Sequence, residues 1–163
     1  MAILVIGLSH HTSPVELRER FAFSDAQIPE ALGRLRSQGV AEEAVILSTC
    51  NRVEIYVAAS NADRMALRQF LLDSRGGPQP LGDEIYTLSE PQSIEHLFKV
   101  ACGLDSMVLG ETEILGQLKK AYSLALETHH TGSRLNKAFQ RACKKAEAMI
   151  KKITVIVMTL GKF

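Results

Sequence analysis

A cysteine in a short polar segment is the residue of this chain best placed to do chemistry. Cys50 lies in segment 48–52, between two apolar runs, 44–47 and 53–58, that each predict a β-strand. Only the thiolate is a good nucleophile, and a neighbouring cation such as Arg52 favours it. Free cysteines are also commonly buried and inert. The residues alone therefore leave two interpretations of Cys50 open, a nucleophile or a packed thiol.

Three further side chains with suitable chemistry lie on predicted helices. His96 lies opposite the apolar stripe of a helix expected to begin after Pro91, so it should face solvent or a cleft. Glu113 and Gln117 share one flank of the next helix and could point together at a ligand. A solvated flank is the commoner outcome for such residues. These positions are candidates that the residues themselves do not decide.

The remaining histidines and cysteines are weaker candidates. His10 and His11 follow the first predicted strand, but adjacent residues project in different directions. Neither a cysteine nor a carboxylate follows at the spacing of metal ligands, so we expect no metal site. Cys102 and Cys143 lie on or beside apolar helix faces and are predicted to be packed.

The composition is that of an ordinary globular domain. The 163 residues are 46% hydrophobic and 23% charged, which is enough for one core. Nineteen basic against eighteen acidic residues exclude a strongly basic surface overall, so nucleic acid would need a local patch. One helix carries such a patch, whose default interpretation is a solvated face and whose alternative is a phosphate contact: Arg141, Lys144, Lys145, Lys151 and Lys152.

Cysteine use and hydropathy indicate the compartment. Three cysteines without a CxxC pair, and no signal peptide, suit a reducing cytosol. The longest apolar stretch, 153–160, is too short to span a membrane. We therefore expect a cytoplasmic protein.

The pattern of elements that must position Cys50 predicts an α+β fold. Segments starting at Ile3, Ala44, Val53 and Ile85 should form a small, mainly antiparallel sheet. Helices should cover one face in a ferredoxin-like arrangement, with the C-terminal helices packed alongside. Capping boxes are predicted at Ser13 and Ser24.

Three further segments complete the predicted elements. Residues 74–80 read as a loop because they are rich in glycine and proline. A helix should run from Arg134 past Ile150, and residues 153–161 form a strand-like run after it.

Three motifs occur in order at 7–19, 48–56 and 96–117, the last with gaps. They include His96-Leu97-Phe98, the stretch 103–111 and Ile114-Leu115-Gly116-Gln117. In these motifs the chain resembles the N-terminal catalytic domain of glutamyl-tRNA reductases. The resemblance covers residues 1 to about 140 and makes 141–163 a linker helix with a divergent tail.

The resemblance implies a mechanism. Cys50 would attack the ester of glutamyl-tRNA and form a thioester, which a hydride from NADPH reduces to glutamate-1-semialdehyde, the first step of tetrapyrrole (porphyrin, haem) biosynthesis. His96 matches a histidine important for activity and is the second expected catalytic residue, acting in proton transfer or in orientation. The remaining matched positions would contact the substrate: Thr49, Asn51, Arg52, Ser106, Glu111, Thr112, Glu113 and Gln117. At 111–113 many members have Glu-Pro-Gln where this chain has Glu-Thr-Glu, so Glu113 is the least supported.

The resemblance also implies partners. In the family, NADPH is bound by a Rossmann domain, and homodimers form through a further helical domain. Neither domain is recognised in this sequence. In particular, the GxGxxG motif of a Rossmann domain does not occur. We therefore expect this chain alone not to complete the reduction. Glutamate-1-semialdehyde aminomutase is a further implied partner. Two hypotheses remain: a catalytic domain that forms the thioester, or a non-catalytic module that binds glutamyl-tRNA or regulates.

Overall fold

A four-stranded sheet and six helices make up the computed structural model, which describes residues 1–75 and 82–162. The strands are β1 (Ala2–Ser9), β2 (Glu43–Ser48), β3 (Arg52–Ala59) and β4 (Tyr86–Leu88). The helices are α1 (Val15–Phe21), α2 (Ile28–Ser37), α3 (Arg64–Arg75), α4 (Gln92–Ala101), α5 (Glu113–Glu127) and α6 (Ser133–Leu160). The loop predicted at 74–80 lies outside the described residues, except for Ser74 and Arg75, which end α3.

The sheet has the strand order β2-β3-β1-β4, and every pairing is antiparallel. Apolar β1 lies in the interior of the sheet, where Val5 is opposite Tyr56 on one side and Leu88 on the other. Helices α1 and α2 connect β1 to β2, and α3 lies between β3 and β4. The predicted α+β class and ferredoxin-like arrangement are confirmed, and the structure adds the strand order.

Strand β3 is buried on both faces. All eight of its residues are buried, including the polar positions Arg52 and Glu54. Tyr56 meets Phe139 of α6 edge to face, with ring centroids 5.3 Å apart. The C-terminal helices therefore cover the face that carries the polar side chains. Alternation of polar and apolar residues in β3 marks two buried faces of different chemistry.

Helix α6 is longer than predicted. It continues to Leu160, so the prediction of a strand-like run at 153–161 was wrong. β-branched residues disfavour a helix only slightly, and adding turns to an existing helix is far easier than starting one. The apolar side chains of these last turns are all at least half exposed: Ile153, Val155, Ile156, Val157, Met158 and Leu160. They add no buried residue to the core.

The helix starts differ from the predicted capping boxes. Ser13 does not cap α1, which begins after Pro14 without a side-chain cap, because the Ser13 hydroxyl donates to the carbonyl of Ser9 instead (3.0 Å). At Ser24 the reciprocal bond is present, since Ser24 N donates to Gln27 Oε1 (2.9 Å), although regular helix begins only at Ile28.

Candidate active site

Cys50 lies in a three-residue turn, 49–51, that joins β2 to β3. The hydroxyl oxygen of Thr49 accepts the backbone N–H groups of Asn51 (3.1 Å) and Arg52 (3.2 Å). Thr49 N donates in turn to the Arg52 carbonyl (2.8 Å). With its backbone folded by these bonds, the turn leaves Cys50 exposed to solvent. The interpretation of Cys50 as a packed thiol was therefore wrong.

A buried arginine anchors this Cys50 turn to the first helix. Arg18, only 8% exposed, donates from Nε to the Cys50 carbonyl (3.2 Å) and from a terminal nitrogen to the Ser13 carbonyl. No role was predicted for Arg18 from the sequence. Its signal was its position three residues before Phe21, on the buried face of α1.

The Cys50 turn forms one wall of a cavity of about 270 Å³. The opposite wall comes from the segment before α5 and from the first turns of that helix. The lining residues are Thr49, Cys50, Asn51, Arg52, Ser106, Met107, Val108, Glu111, Glu113, Ile114 and Gln117. The structure thus brings together every predicted site residue except His96 and Thr112. Thr112 is the residue that flanks the start of α5 and does not line the cavity.

The loop 103–111, which carries the opposite wall, is closed at its base. Gly110 N donates to the Gly103 carbonyl (3.0 Å). Gly103 has a φ of +72°, and a Cβ there would lie 2.4 Å from the carbonyl oxygen of Glu111. Only glycine fits this position without strain. The loop therefore has a defined path beside Cys50.

Glu111 connects this loop to α5. Its carboxylate accepts the Ser106 hydroxyl (3.1 Å) and the N–H groups of Glu113 (2.8 Å) and Ile114 (3.2 Å). A carboxylate at a helix N-terminus is favoured by the unpaired N–H groups there. Glu111 therefore shapes the cavity wall through these bonds.

Arg52 is a buried member of the cavity lining, with 1% of its surface exposed. Its guanidinium binds both the carboxylate (2.9 Å) and the backbone carbonyl (2.7 Å) of Asp105. It also lies 3.5 Å from the Glu54 carboxylate. The prediction that Arg52 lies beside Cys50 holds, but its charge is already paired with two carboxylates inside the protein.

Glu54 is the centre of a buried polar group of residues, which we term the Glu54 cluster. Its members are Arg52, Glu54, Tyr56, Tyr86, His96 and Asp105. Fully buried Glu54 accepts the Tyr56 hydroxyl at 2.8 Å through one oxygen. Its other oxygen accepts Tyr86 and His96 Nε2. A Cβ on Gly7 would lie 2.8 Å from Glu54 Cγ, so glycine makes room for this carboxylate.

The cluster keeps Glu54 ionised. Burial alone would raise the pKa of Glu54, but the hydrogen bond and charge of His96, followed by the charge of Arg52, lower it to about 2. The same carboxylate, together with burial, raises the pKa values of Tyr56 and Tyr86, so both hydroxyls stay protonated donors. The cluster is therefore a fixed arrangement of donors around one negative charge.

His96 belongs to this cluster and not to the cavity surface. Its side chain is only 13% exposed, so most of it is turned away from solvent. The side of α4 opposite the apolar stripe meets the polar face of β3 and the ring of Tyr86, 5.6 Å away. His96 reaches the Cys50 turn only through Glu54 and Arg52.

The other two cysteines lie away from the cavity. Cys143 is buried in the core and half-buried Cys102 packs against it, as predicted, and burial raises the pKa values of both thiols. Within residues 1–75 and 82–162, no three His, Cys, Asp or Glu side chains are grouped to hold a metal ion. In the same residues, no helix has the length and apolar character needed to cross a bilayer.

Comparisons with known proteins identify one family of relatives. The family model of the glutamyl-tRNA(Glu) reductase N-terminal domain matches residues 6–153 of the sequence. The glutamyl-tRNA reductase of Stenotrophomonas maltophilia is 47% identical over 147 residues, which is 90% of this chain and 33% of that protein. That of Shouchella clausii is 46% identical over 145 residues, covering 87% of this chain and 32% of its own.

A solved structure shows the same fold. Glutamyl-tRNA reductase from Methanopyrus kandleri superposes with a TM-score of 0.78 at 28% identity, covering 92% of this chain and 34% of that one. The chain thus spans about a third of the length of these relatives.

Proposed function

The chain belongs to the family of the glutamyl-tRNA reductase N-terminal domain, and on that premise we propose that it performs the acyl-transfer half of the reductase reaction. The Cys50 thiolate attacks the carbonyl carbon of the ester in glutamyl-tRNA. The bond from Sγ to that carbon forms, the bond from carbon to the ribose oxygen breaks, and this oxygen takes up a proton. Free tRNA leaves, and a glutamyl thioester remains on Cys50.

The observation that carries this proposal is the exposed Cys50 thiol in a polar cavity. The volume, about 270 Å³, lies just below the range of roughly 300–1,000 Å³ for small-molecule pockets. A group as small as a glutamyl residue suits that size. The binding-module hypothesis needs the cavity but not an exposed thiol, so the position of Cys50 favours the catalytic one.

The lining offers partners for the charged groups of the glutamyl ester. Thr49 and Asn51 supply hydrogen-bond donors for its side-chain carboxylate, and the guanidinium of Arg52, although bound to Asp105 and Glu54, adds positive charge beside them. The exposed carboxylate of Glu113 suits the free ammonium group. Gln117 and Ser106 add neutral polar contacts at the same wall.

His96 has a different role in this proposal. Because it donates to Glu54 and does not line the cavity, it is a positioning residue. It helps hold the carboxylate that lies against Arg52, which in turn lies beside Cys50. Loss of His96 would therefore loosen the cavity wall without removing a group that touches the ester.

The reduction of the thioester is not assigned to the residues of this chain. NADPH, when bound, supplies the hydride that converts a thioester to an aldehyde, here glutamate-1-semialdehyde, as the first step of tetrapyrrole biosynthesis. The described residues do not fit it: no glycine-rich turn between a strand and a helix occurs among them to receive a pyrophosphate. The chemistry of these residues stops at the thioester. Homodimerisation and transfer of the product to an aminomutase remain predictions from the family resemblance.

The test is to incubate the chain with glutamyl-tRNA carrying labelled glutamate, under reducing conditions, and to measure the label on protein and the release of tRNA. We expect a thiol-bound adduct on the natural chain and none on Cys50→Ala. Cys102→Ser is the matched control, because Cys102 is a thiol outside the cavity, and its adduct should be unchanged.

The proposal is wrong if the natural chain forms no adduct and tRNA is released no faster than without protein. It is equally wrong if Cys50→Ala retains the adduct. Equilibrium binding of glutamyl-tRNA without an adduct would favour the binding-module hypothesis.

A further inference from the structure

An exposed apolar patch borders the polar cavity. Met107, Val108 and Leu109 follow one another in loop 103–111 and are 64%, 69% and 74% exposed. Met107 and Val108 also line the cavity, whereas Leu109 does not. Residues that line a cavity and are largely open to solvent lie at its mouth. The mouth thus carries apolar side chains, although most of the lining residues are polar.

The backbone under this patch is held in place. Besides the bond between Gly110 and Gly103, Arg52 binds the Asp105 carbonyl (2.7 Å), and the Ser106 hydroxyl binds Glu111 (3.1 Å). The exposed apolar side chains are therefore presented by a fixed loop that is tied to the Cys50 wall. Contiguous exposed apolar surface of this kind commonly marks a binding site.

The proposed reaction determines which part of the substrate lies at the mouth of the cavity. The ester attacked by Cys50 joins the glutamyl group to the ribose of the last nucleoside of tRNA, an adenosine. If the charged glutamyl group occupies the polar cavity, the ribose and the flat, largely apolar base must lie outside it, next to Cys50. A flexible methionine side chain makes favourable contacts with aromatic ring systems.

Resting on the proposed function, we propose that Met107 and Val108 form a subsite for the terminal adenosine of glutamyl-tRNA, with the adenine lying against the Met107 side chain. The subsite holds the ribose oxygen near Cys50 while the glutamyl group is in the cavity. Part of the substrate recognition is then local to the ester and independent of the rest of the tRNA.

The experiment uses two small esters of glutamate that differ only in the leaving group. One is the ester of glutamate with the ribose of adenosine, and the other is the α-methyl ester. Acylation rates of Cys50 are measured by intact-protein mass spectrometry on the natural chain, on Met107→Ala and on Leu109→Ala. Leu109→Ala is the matched control, since Leu109 is exposed in the same loop but outside the cavity lining.

We expect Met107→Ala to slow acylation by the adenosine ester about three- to tenfold, the range that a sulfur contact with a ring allows. Acylation by the methyl ester should change less than about twofold, and Leu109→Ala should change neither rate. If Met107→Ala slows both esters equally, or slows neither, the subsite does not exist.

A second measurement separates this inference from the proposed function. Adenosine alone should slow alkylation of the Cys50 thiol by iodoacetamide in the natural chain, and less so in Met107→Ala. If neither ester acylates the natural chain, the experiment with glutamyl-tRNA still decides the proposed acyl transfer, and protection by adenosine decides the subsite. Absence of protection in that case overturns the subsite.

Discussion

The Cys50 turn and the Glu54 cluster adjoin each other through Arg52, but Cys50 is exposed to solvent whereas Glu54 is fully buried. The turn presents an exposed thiol to the cavity, and its own backbone bonds hold it. The cluster packs a charged carboxylate, fully buried, among two hydroxyls, an imidazole and a guanidinium. A reactive side chain must stay accessible, whereas the charges that support it are fixed most firmly when buried and fully paired.

This difference separates chemistry from stability. An exposed thiol contributes little to the free energy of unfolding, so its loss should abolish only the reaction. A buried charge with several partners is costly to disturb, because each partner is left unsatisfied. The two regions should therefore respond to substitution in opposite ways.

The largest expected effect is that of Glu54→Leu. It leaves Tyr56, Tyr86 and His96 without their shared acceptor and removes one of the two carboxylates that balance Arg52. Removing one partner of a buried ionic group costs about 3–5 kcal/mol. We expect a loss of that size in the free energy of unfolding, measured by urea denaturation followed by circular dichroism.

Cys50→Ala is the matched control for that measurement. Its free energy of unfolding should stay within about 0.5 kcal/mol of the natural chain, while adduct formation is lost. If Glu54→Leu unfolds no more easily than Cys50→Ala, the cluster does not stabilise the fold and the contrast between the two regions is void.

Features that depend on residues close together in the chain could be predicted from the sequence. Features that are assembled from distant segments could not. The polar break 48–52 between two strands was recognisable, as were the elements of the α+β fold and the cavity residues near the start of α5. Each of these depends on local periodicity or on a continuous motif. Strand order depends on tertiary contacts, and the sequence alone did not determine it.

The Glu54 cluster shows why the remainder was missed. Glu54 was seen only as a polar position in an alternating strand, because nothing nearby shows that C-terminal helices cover that face. His96 was placed on the correct side of α4, but its burial depends on Glu54 and Tyr86, which come from other elements. The end of α6 was missed for another reason, since its β-branched residues favour a strand until the preceding helix is known to continue.

The second-largest expected effect is a change of about 3 kcal/mol in the free energy of unfolding, and it comes from the charge of Glu54. Its pKa falls from an ordinary value of 4.5 to about 2 in the folded chain. A carboxyl group with a lowered pKa stabilises the fold fully above its unfolded pKa, and this contribution is lost as the pH falls towards the folded pKa. Between about pH 5 and pH 2, we expect the natural chain to lose about 3 kcal/mol through this group.

Glu54→Gln isolates that contribution because it has the same size and no titratable group. The difference in free energy of unfolding between the natural chain and Glu54→Gln should shrink on acidification from about pH 5 to about pH 2. Glu95→Gln serves as the comparison, since Glu95 is largely exposed and forms its ion pair with Lys99 on the same helix. A difference for Glu54→Gln that is independent of pH would contradict the burial of a charged carboxylate here.

The smallest expected effect on stability comes from a substitution in the Cys50 turn. Thr49→Val keeps the shape of the side chain but removes the hydroxyl oxygen that accepts the N–H groups of Asn51 and Arg52. Loss of such a bond costs about 1 kcal/mol, far less than disrupting the Glu54 cluster. Adduct formation should nevertheless slow about tenfold or more, because a small displacement of a nucleophile is costly to the rate.

Thr49→Ser separates the hydrogen bonds from the methyl group, since serine retains the accepting oxygen. It should form the adduct at nearly the natural rate and unfold with nearly the natural free energy. If Thr49→Val matches Thr49→Ser in adduct formation, the two bonds to the Thr49 hydroxyl do not position Cys50, and the backbone bond from Thr49 to Arg52 and the bond from Arg18 are left to do so. A slow Thr49→Val beside a fast Thr49→Ser would show that the Thr49 hydroxyl is needed for the rate while adding little to stability.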